Sequence, residues 1–382
     1  MLKKSFRTIA ALSLPALVLA FAYTPAAAPD PGNDKDNAWP LFRGNPERTG
    51  TAGGSLPLPL KLEWSYEAGD AVESSAALAG GTVFVGALDG SFHSVDLKSG
   101  KRNWKFAAQA GIASSPAVAD GTVYFGDDEG NFYALDAAGG KLHWTFETGA
   151  EIISSPVALP EQVLFGSYDG HLYALRRRDG QLLWKFETEG RVHASPAVAD
   201  GKVFVTGCDG FMRVLDVTTG KETDQFHIGD YMAASPALAG DLLYVGTFAN
   251  RVHCINWKQA KQVWTYEAAD RSFPFYSSAA VGPGRVIVGG RDKAVHALDP
   301  ETGKAVWTYR TRGRVDSSPV IVGETVFVGS LDGNLYALEM DSGTLQWKFT
   351  AGGGLAASPA VGEGRLVIGS RDGVLYCFRG AN

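Results

Sequence analysis

The chain has 382 residues, 45% of them hydrophobic and 20% charged, with a formal charge of −6. That composition excludes a disordered chain, and the acidic balance excludes a basic nucleic-acid footprint. Three cysteines at scattered positions, Cys208, Cys254 and Cys377, exclude a disulfide framework.

Residues 1–28 read as a signal peptide. Lys3, Lys4 and Arg7 are a positive start, an apolar run follows from Ile9 to Ala22, and small residues lead to Ala28. The run is shorter than the ~20 residues of a spanning helix, so no transmembrane segment is expected. No cysteine lies near the cleavage region, so no lipid anchor is expected there. The protein is expected to be exported, to the periplasm, the cell envelope or the exterior.

Residues 29–59 read as a leader. Pro29 to Asn37 is polar and reads as flexible. The segment Trp39-Pro40-Leu41-Phe42-Arg43-Gly44-Asn45, followed by Arg48-Thr49-Gly50, reads as an ordered cap against the main domain. Linkers without structure are poor in such large aromatics.

From residue 60 onward the chain repeats. Trp64, Trp104, Trp144 and Trp184 recur every 40 residues; Asp224 holds the next position, and Trp264, Trp307 and Trp347 follow. One unit reads clearly: Ser-Ser-Pro-Ala-Val (114–118) is a short strand, Thr-Val-Tyr-Phe-Gly (122–126) a β-branched and aromatic strand, Asn-Phe-Tyr-Ala-Leu-Asp (131–136) a third, and Leu142 to Glu147 a fourth. Asp-Gly pairs such as 169–170 and 332–333 mark hairpin turns between them. Four antiparallel strands in ~40 residues is the size of a propeller blade.

The inner strands begin at Ser74, Ser114, Ser154, Ala194, Ala234, Ser277, Ser317 and Ala357, one strand out of step with the tryptophan strands. The N-terminal strand, Lys61 to Glu67, must therefore complete the last unit. The sequence predicts an all-β, eight-bladed propeller of four-stranded antiparallel blades over residues 60–382, its last blade closed by the N-terminal strand, which leaves no open sheet edge.

The runs Ala134-Leu135-Asp136 … Gly140-Lys141 … Trp144, Ala297-Leu298-Asp299-Pro300-Glu301-Thr302-Gly303-Lys304 … Trp307 and Ala337-Leu338-Glu339 … Gly343 … Trp347 resemble the repeats of the quinoprotein (pyrroloquinoline quinone, PQQ) propeller family. The resemblance covers roughly residues 60 to 379. It implies a tryptophan that docks each blade on its neighbour. One branch, the quinoprotein dehydrogenases, implies PQQ and Ca²⁺ held by a Glu, an Asn and an Asp beneath a vicinal Cys-Cys disulfide. This chain has no Cys-Cys pair, so none of those ligands transfers. The other branch, BamB-like, implies a cofactor-free scaffold for outer-membrane protein assembly.

In a propeller the loops that lead into the inner strands surround the axial funnel, the default binding surface. Aligning the residue before each inner-strand pair gives a ring of Glu73, Ala113, Ile153, His193, Ala233, Tyr276, Asp316 and Ala356, with Arg191 and Arg314 two residues earlier in their loops. Glu73, Asp316 and His193 form a polar or cation site there, or are solvated loop residues. From Trp264 to Ser277 the spacing is 13 residues instead of 10, and the extra length carries Arg271, Phe273, Phe275 and Tyr276. Aromatic residues with arginine are enriched at protein interfaces; alternatively Phe273 or Phe275 plugs the funnel. Asp224, Phe248-Ala249-Asn250-Arg251 and Asn256-Trp257-Lys258-Gln259-Ala260 also depart from the repeat, as a partner surface or as drift. Arg176-Arg177-Arg178 reads as a solvated patch on the opposite face. His93, His253 and His296 align with Tyr133, Tyr173 and Tyr336 and read as packing residues, and Cys254 and Cys377 as small buried ones.

The leading expectation is an exported, monomeric, non-enzymatic scaffold that binds protein partners of the cell envelope, with no cofactor, metal or nucleic acid. The alternatives are a PQQ- and Ca²⁺-dependent oxidoreductase and a propeller that binds a small ligand such as a sugar.

Overall fold

The computed structural model describes residues 38–268 and 273–381. The expected signal peptide and the first part of the leader lie outside the described residues, as does Arg271.

After a two-residue strand β1 (Thr51–Ala52) and strand β2 (Lys61–Glu67), blade 1 is built from β3 (Ala77–Ala79), β4 (Thr82–Gly86), β5 (Ser91–Asp96) and β6 (Arg102–Ala107) in hairpin order. The same meander repeats at 117–147, 157–187, 197–227, 237–267, 280–310 and 320–350, which are blades 2 to 7. Blade 8 takes its three inner strands from 360–379 and its outer strand from β2, which runs antiparallel to Val374–Arg379 with Lys61 opposite Arg379 and Glu67 opposite Val374. The offset read in the repeat thus joins the two ends of the domain. β1 adds in parallel to the inner strand of blade 7, Thr51 opposite Ile321.

The local chemistry follows the distance from the axis. β3 has small residues that allow eight strands to crowd together. β4 and β5 are buried on both faces, while β6 alternates exposed and half-buried positions. A bulge before each tryptophan places it opposite a small residue: Trp144 faces Ala134, Trp264 faces Cys254, and Trp64 faces Cys377. Cys254 and Cys377 are fully buried, and burial pushes both thiols up to about 12. Each docking indole then reaches the next blade. Trp104 Nε1 donates to the Ala137 carbonyl at 3.0 Å and Trp144 Nε1 to that of Arg177 at 2.9 Å.

Asp224 breaks this series, and the structure shows what replaces it. Trp257, from the following blade, enters the same junction from the other side. Its ring meets Phe204 of blade 4 at 5.0 Å, and its Nε1 donates to the Gly240 carbonyl at 3.1 Å. Two of the departures in blades 4 and 5 are therefore one packing exchange, not a partner surface. Arg177 is likewise no solvated patch: its guanidinium donates to the Tyr124 hydroxyl and the Ala119 carbonyl across the blade 2–3 junction.

Candidate functional site: the axial funnel

The loops that lead into the inner strands, and the turns between second and third strands, share one face, here the upper face. The lower end of the axial channel is filled by the leader, which enters the channel instead of capping a surface. Its carbonyls accept from inner-strand amides of six blades: Leu78 and Val118 donate to Trp39 and Pro40, Val198 and Leu238 to Pro46 and Glu47, and Val281 and Ile321 to Thr49 and Gly50. Arg43 and Arg48 are fully buried beside it. Arg43 donates to the carbonyls of Pro319 (2.5 Å) and Ala279 (2.9 Å); Arg48 donates to those of Pro196 (3.0 Å), Ser155 (3.0 Å), Pro156 (3.1 Å) and Phe42 (2.7 Å). Backbone dipoles replace carboxylates as partners, and burial brings both guanidinium groups down to about 9. Gly50 is required here, because φ is +65° and a Cβ would lie 1.8 Å from the Arg43 guanidinium.

Above this plug lies a ring of eight serines, the second residue of every inner-strand motif. Ser75 N–H donates to Ser115 Oγ at 3.0 Å, Ser115 N–H to Ser155 Oγ at 3.1 Å, and so on through Ser195, Ser235, Ser278, Ser318 and Ser358. Ser358 N–H returns to Ser75 Oγ at 2.9 Å, so the circle is complete. All eight are buried, yet they line the floor of a cavity of about 200 Å³ with Phe42 among them.

The walls of this funnel are two rings. The lower ring is the predicted one: Glu73, Ala113, Ile153, His193, Ala233, Tyr276, Asp316 and Ala356 all line the cavity. The upper ring is the equivalent position in the turns between second and third strands, Leu88, Asp128, Tyr168, Cys208, Phe248, Arg291, Leu331 and Arg371, of which Arg291 and Arg371 line the cavity. Each of their amides is held by the loop of its own blade; Tyr168 N–H donates to the Glu151 carbonyl at 2.9 Å, and Arg291 N–H to that of Pro274 at 3.0 Å. Four upper residues, Tyr168, Phe248, Arg291 and Arg371, meet the lower residue of the next blade. Arg371 pairs with Glu73 at 2.8 Å. Arg291 grips Asp316 through Nε (2.8 Å) and Nη2 (3.0 Å) and stacks on the Tyr276 ring at 4.2 Å. His193 lies between two phenols: Tyr168 meets its Nδ1 and Tyr276 its Nε2, the latter at 2.8 Å. Burial first, and then the Arg291 charge, hold His193 down to about 4, so it is neutral at pH 7. Burial pushes Tyr276 up to about 12. Asp128 is half-buried, and its Oδ1 has no hydrogen-bond partner among the described residues. Burial, with Asp127, Glu151 and Glu73 nearby, raises it to about 6.

The structure separates the other predicted residues. Arg191 stacks over Tyr168 at 5.0 Å on the funnel rim, and Arg314 is exposed outside the cavity. The arginines that neutralise Glu73 and Asp316 are Arg371 and Arg291, from neighbouring blades. Phe275 is 1% exposed and packs on Tyr266 and His296, so it is core and unavailable to a partner. Phe273 is 43% exposed. Neither plugs the funnel; Phe42 closes its floor. Tyr168, Arg291, Arg371 and the serine ring were missed in the sequence. Aligning the first residue of each turn between second and third strands, and noting serine at one motif position in all eight units, exposes them.

Glu73, Asp316 and His193 do not form a cation site, because each is engaged by its own neighbour. Among the described residues no three His, Cys, Asp or Glu side chains converge as a metal cage. Cys208 lies on an upper-face turn while Cys254 and Cys377 are buried within blades, so no cysteine pair covers the funnel. These residues do not fit a Ca²⁺–PQQ pair.

All three exposed aromatic residues of the described chain fall in one sector of the upper face. Tyr231 (62%), Phe248 (40%) and Phe273 (43%) belong to blades 5 and 6. Phe248 N–H donates to the Tyr231 carbonyl at 2.9 Å, and the Phe248 ring meets Tyr276 edge-on at 6.1 Å. The remaining exposed large apolar residues are aliphatic and lie on outer strands.

A family profile described as outer membrane protein assembly factor BamB matches residues 61–266, 225–340 and 270–382. No curated protein matches the chain. Among solved structures, BamB from Moraxella catarrhalis is 20% identical, with 84% of this chain and 100% of that one aligned at a TM-score of 0.74. A quinohemoprotein alcohol dehydrogenase from Comamonas testosteroni is 16% identical, with 91% and 81% aligned at 0.79. A computationally designed protein, Ika8, is 16% identical, with 84% and 100% aligned at 0.72. Those likenesses show the fold, which an assembly factor, a dehydrogenase and a designed protein share.

Proposed function

The chain belongs to the family described as outer membrane protein assembly factor BamB, and from that premise we propose that it is a non-enzymatic scaffold that binds a protein of the cell envelope. The observation that carries this reading is the aromatic sector of Tyr231, Phe248 and Phe273. Propellers place their variable residues on the face around the funnel, and here the exposed aromatics are confined to two adjacent blades of it. Large aromatics half out of water, beside Arg251 and its partner Asp230 at 3.3 Å, have the composition of an interface centre with a polar rim.

The family premise favours an envelope location. No helix among the described residues is long and apolar enough to cross a membrane. The reading is tested by capturing envelope proteins on the wild-type chain and on a Tyr231→Ser, Phe248→Ser, Phe273→Ser variant, then measuring the affinity of the captured protein for both. A loss of at least about 100-fold in affinity, with unchanged unfolding, is expected from two or three hot-spot residues. Equal binding by both proteins would remove the patch from the function.

A further inference from the structure

The funnel adjoins the aromatic sector, where Phe248 meets Tyr276 edge-on, and its floor has chemistry that the sector does not use. Each ring serine already accepts a backbone N–H at its Oγ, but among the described residues none of the eight hydroxyl hydrogens has an acceptor. A hydroxyl is one donor with two lone pairs, so each serine offers one donor and one free lone pair to whatever occupies the cavity.

The centre of the floor has different chemistry. Phe42 is raised into it by the leader, with the Arg48 guanidinium over one side of its ring at 5.8 Å from the centroid. Phe42 is itself half-buried and lines the cavity. An aromatic face carries negative charge density and attracts C–H groups, so it disfavours an anion lying on the axis. Around the mouth, Glu73 and Asp316 each hold an arginine in fixed geometry, and one phenol of the His193 pair accepts the imidazole hydrogen and keeps its own hydrogen to donate. The cavity of about 200 Å³ lies below the ~300–1,000 Å³ of drug-sized sites.

An apolar disc encircled by groups that both donate and accept is the complement of a molecule with a C–H face and a rim of hydroxyls. We propose that the funnel binds one ring-shaped polyol, a monosaccharide or a cyclitol, with its C–H face on Phe42 and its hydroxyls on the serine ring. The neutral His193 pair and the Arg291–Asp316 and Arg371–Glu73 forks meet the groups that point up toward the mouth. The ring is presented either as a free sugar or as the end residue of a glycan. The reading does not depend on the partner surface, and its test leaves that surface intact.

The test uses saturation-transfer NMR and calorimetry on the whole protein with glucose, galactose, mannose, N-acetylglucosamine, ribose and myo-inositol. Methyl glycosides and disaccharides of the same sugars, and acetate, complete the panel. At least one polyol is expected to bind, with saturation strongest on its C–H protons. Tighter binding of glycosides assigns a glycan end as the source, and tighter binding of the free sugar assigns a free ligand. Ala356→Phe, which fills the funnel without touching a ring hydrogen bond, is expected to weaken binding at least about tenfold with Tm within about 2 °C of wild type. Phe42→Leu should weaken it through loss of the aromatic face. Failure of every polyol to bind, binding of acetate in place of polyols, or binding unaltered by Ala356→Phe would each overturn the proposal.

Discussion

The two ends of the axial channel are built from the same eight repeats and are treated in opposite ways. At the lower end the chain satisfies its own backbone: six inner-strand amides donate to leader carbonyls, and Arg43 and Arg48 take up the carbonyls that remain between them. At the upper end the serine ring consumes one lone pair per hydroxyl and leaves the hydrogens without acceptors among the described residues. A symmetric scaffold presents eight copies of every backbone group. What distinguishes the ends is which copies the chain keeps for itself.

The largest effect is expected where the sealed end loses a buried donor. Arg48→Met keeps length and apolar bulk but strips four carbonyls of their partner, at about 1–3 kcal/mol for each group left dry. Denaturant unfolding should show a loss of at least about 3 kcal/mol, while Arg191→Met on the open rim should stay within about 0.5 kcal/mol. Similar costs at both ends would erase the distinction.

Next comes the exchanged tryptophan on the sealed side. Trp257→Ala should cost about 3–5 kcal/mol, with Asp224→Trp plus Ala260→Gly restoring part of it by rebuilding the usual dock. The glycine is needed because docking rings elsewhere press on one, as Trp104 does on Gly140. No rescue would mean that Trp257 does not occupy the vacated junction.

Acid probes the open end. His193 is held at about 4 in the fold against ~6.5 when unfolded, so between those values the unfolded chain binds the extra proton. The stability present above pH 6.5 therefore falls as pH drops toward 4, by about 2 kcal/mol at pH 5. Buried His93, also near 4, adds in the same sense. Asp128, raised to about 6, opposes them: it stabilises at low pH and loses that contribution as pH rises through 6. His193→Gln should flatten the acid limb of an unfolding series between pH 7 and 5, and an unaltered limb would contradict the neutral imidazole between two phenols. The smallest effect on stability, within about 0.5 kcal/mol, is expected for Phe273→Ser, because its side chain is 43% exposed.

The fold was legible because the repeat carries it. Tryptophan spacing located the blades, and the one-strand offset between Ser74 and Trp64 located the closure, since both are consequences of strand length and ring geometry. The lower ring was legible for the same reason: Glu73 and Asp316 occupy one register position. Their partners were not, because Arg371 and Arg291 arrive from different blades, and contacts across a blade junction leave no trace in the spacing within a unit. The exchange of Trp257 for the residue at 224 shows the same limit, being two departures 33 residues apart that make sense only when the blades are placed side by side. The role of Arg43 and Arg48 was hidden because arginine without a nearby acid reads as surface, and only the channel supplies the carbonyls that bury it.

Amide hydrogen exchange at Val118, Val198, Leu238, Val281 and Ile321, in the whole protein and in a variant lacking residues 38–52, tests the sealed channel most directly. Slow exchange in the first and fast exchange in the second, with central-strand amides such as Tyr124 and Phe165 protected in both, is the predicted result. Fast exchange at those five amides in the intact protein would contradict a leader lodged in the channel, and with it the floor on which the funnel rests.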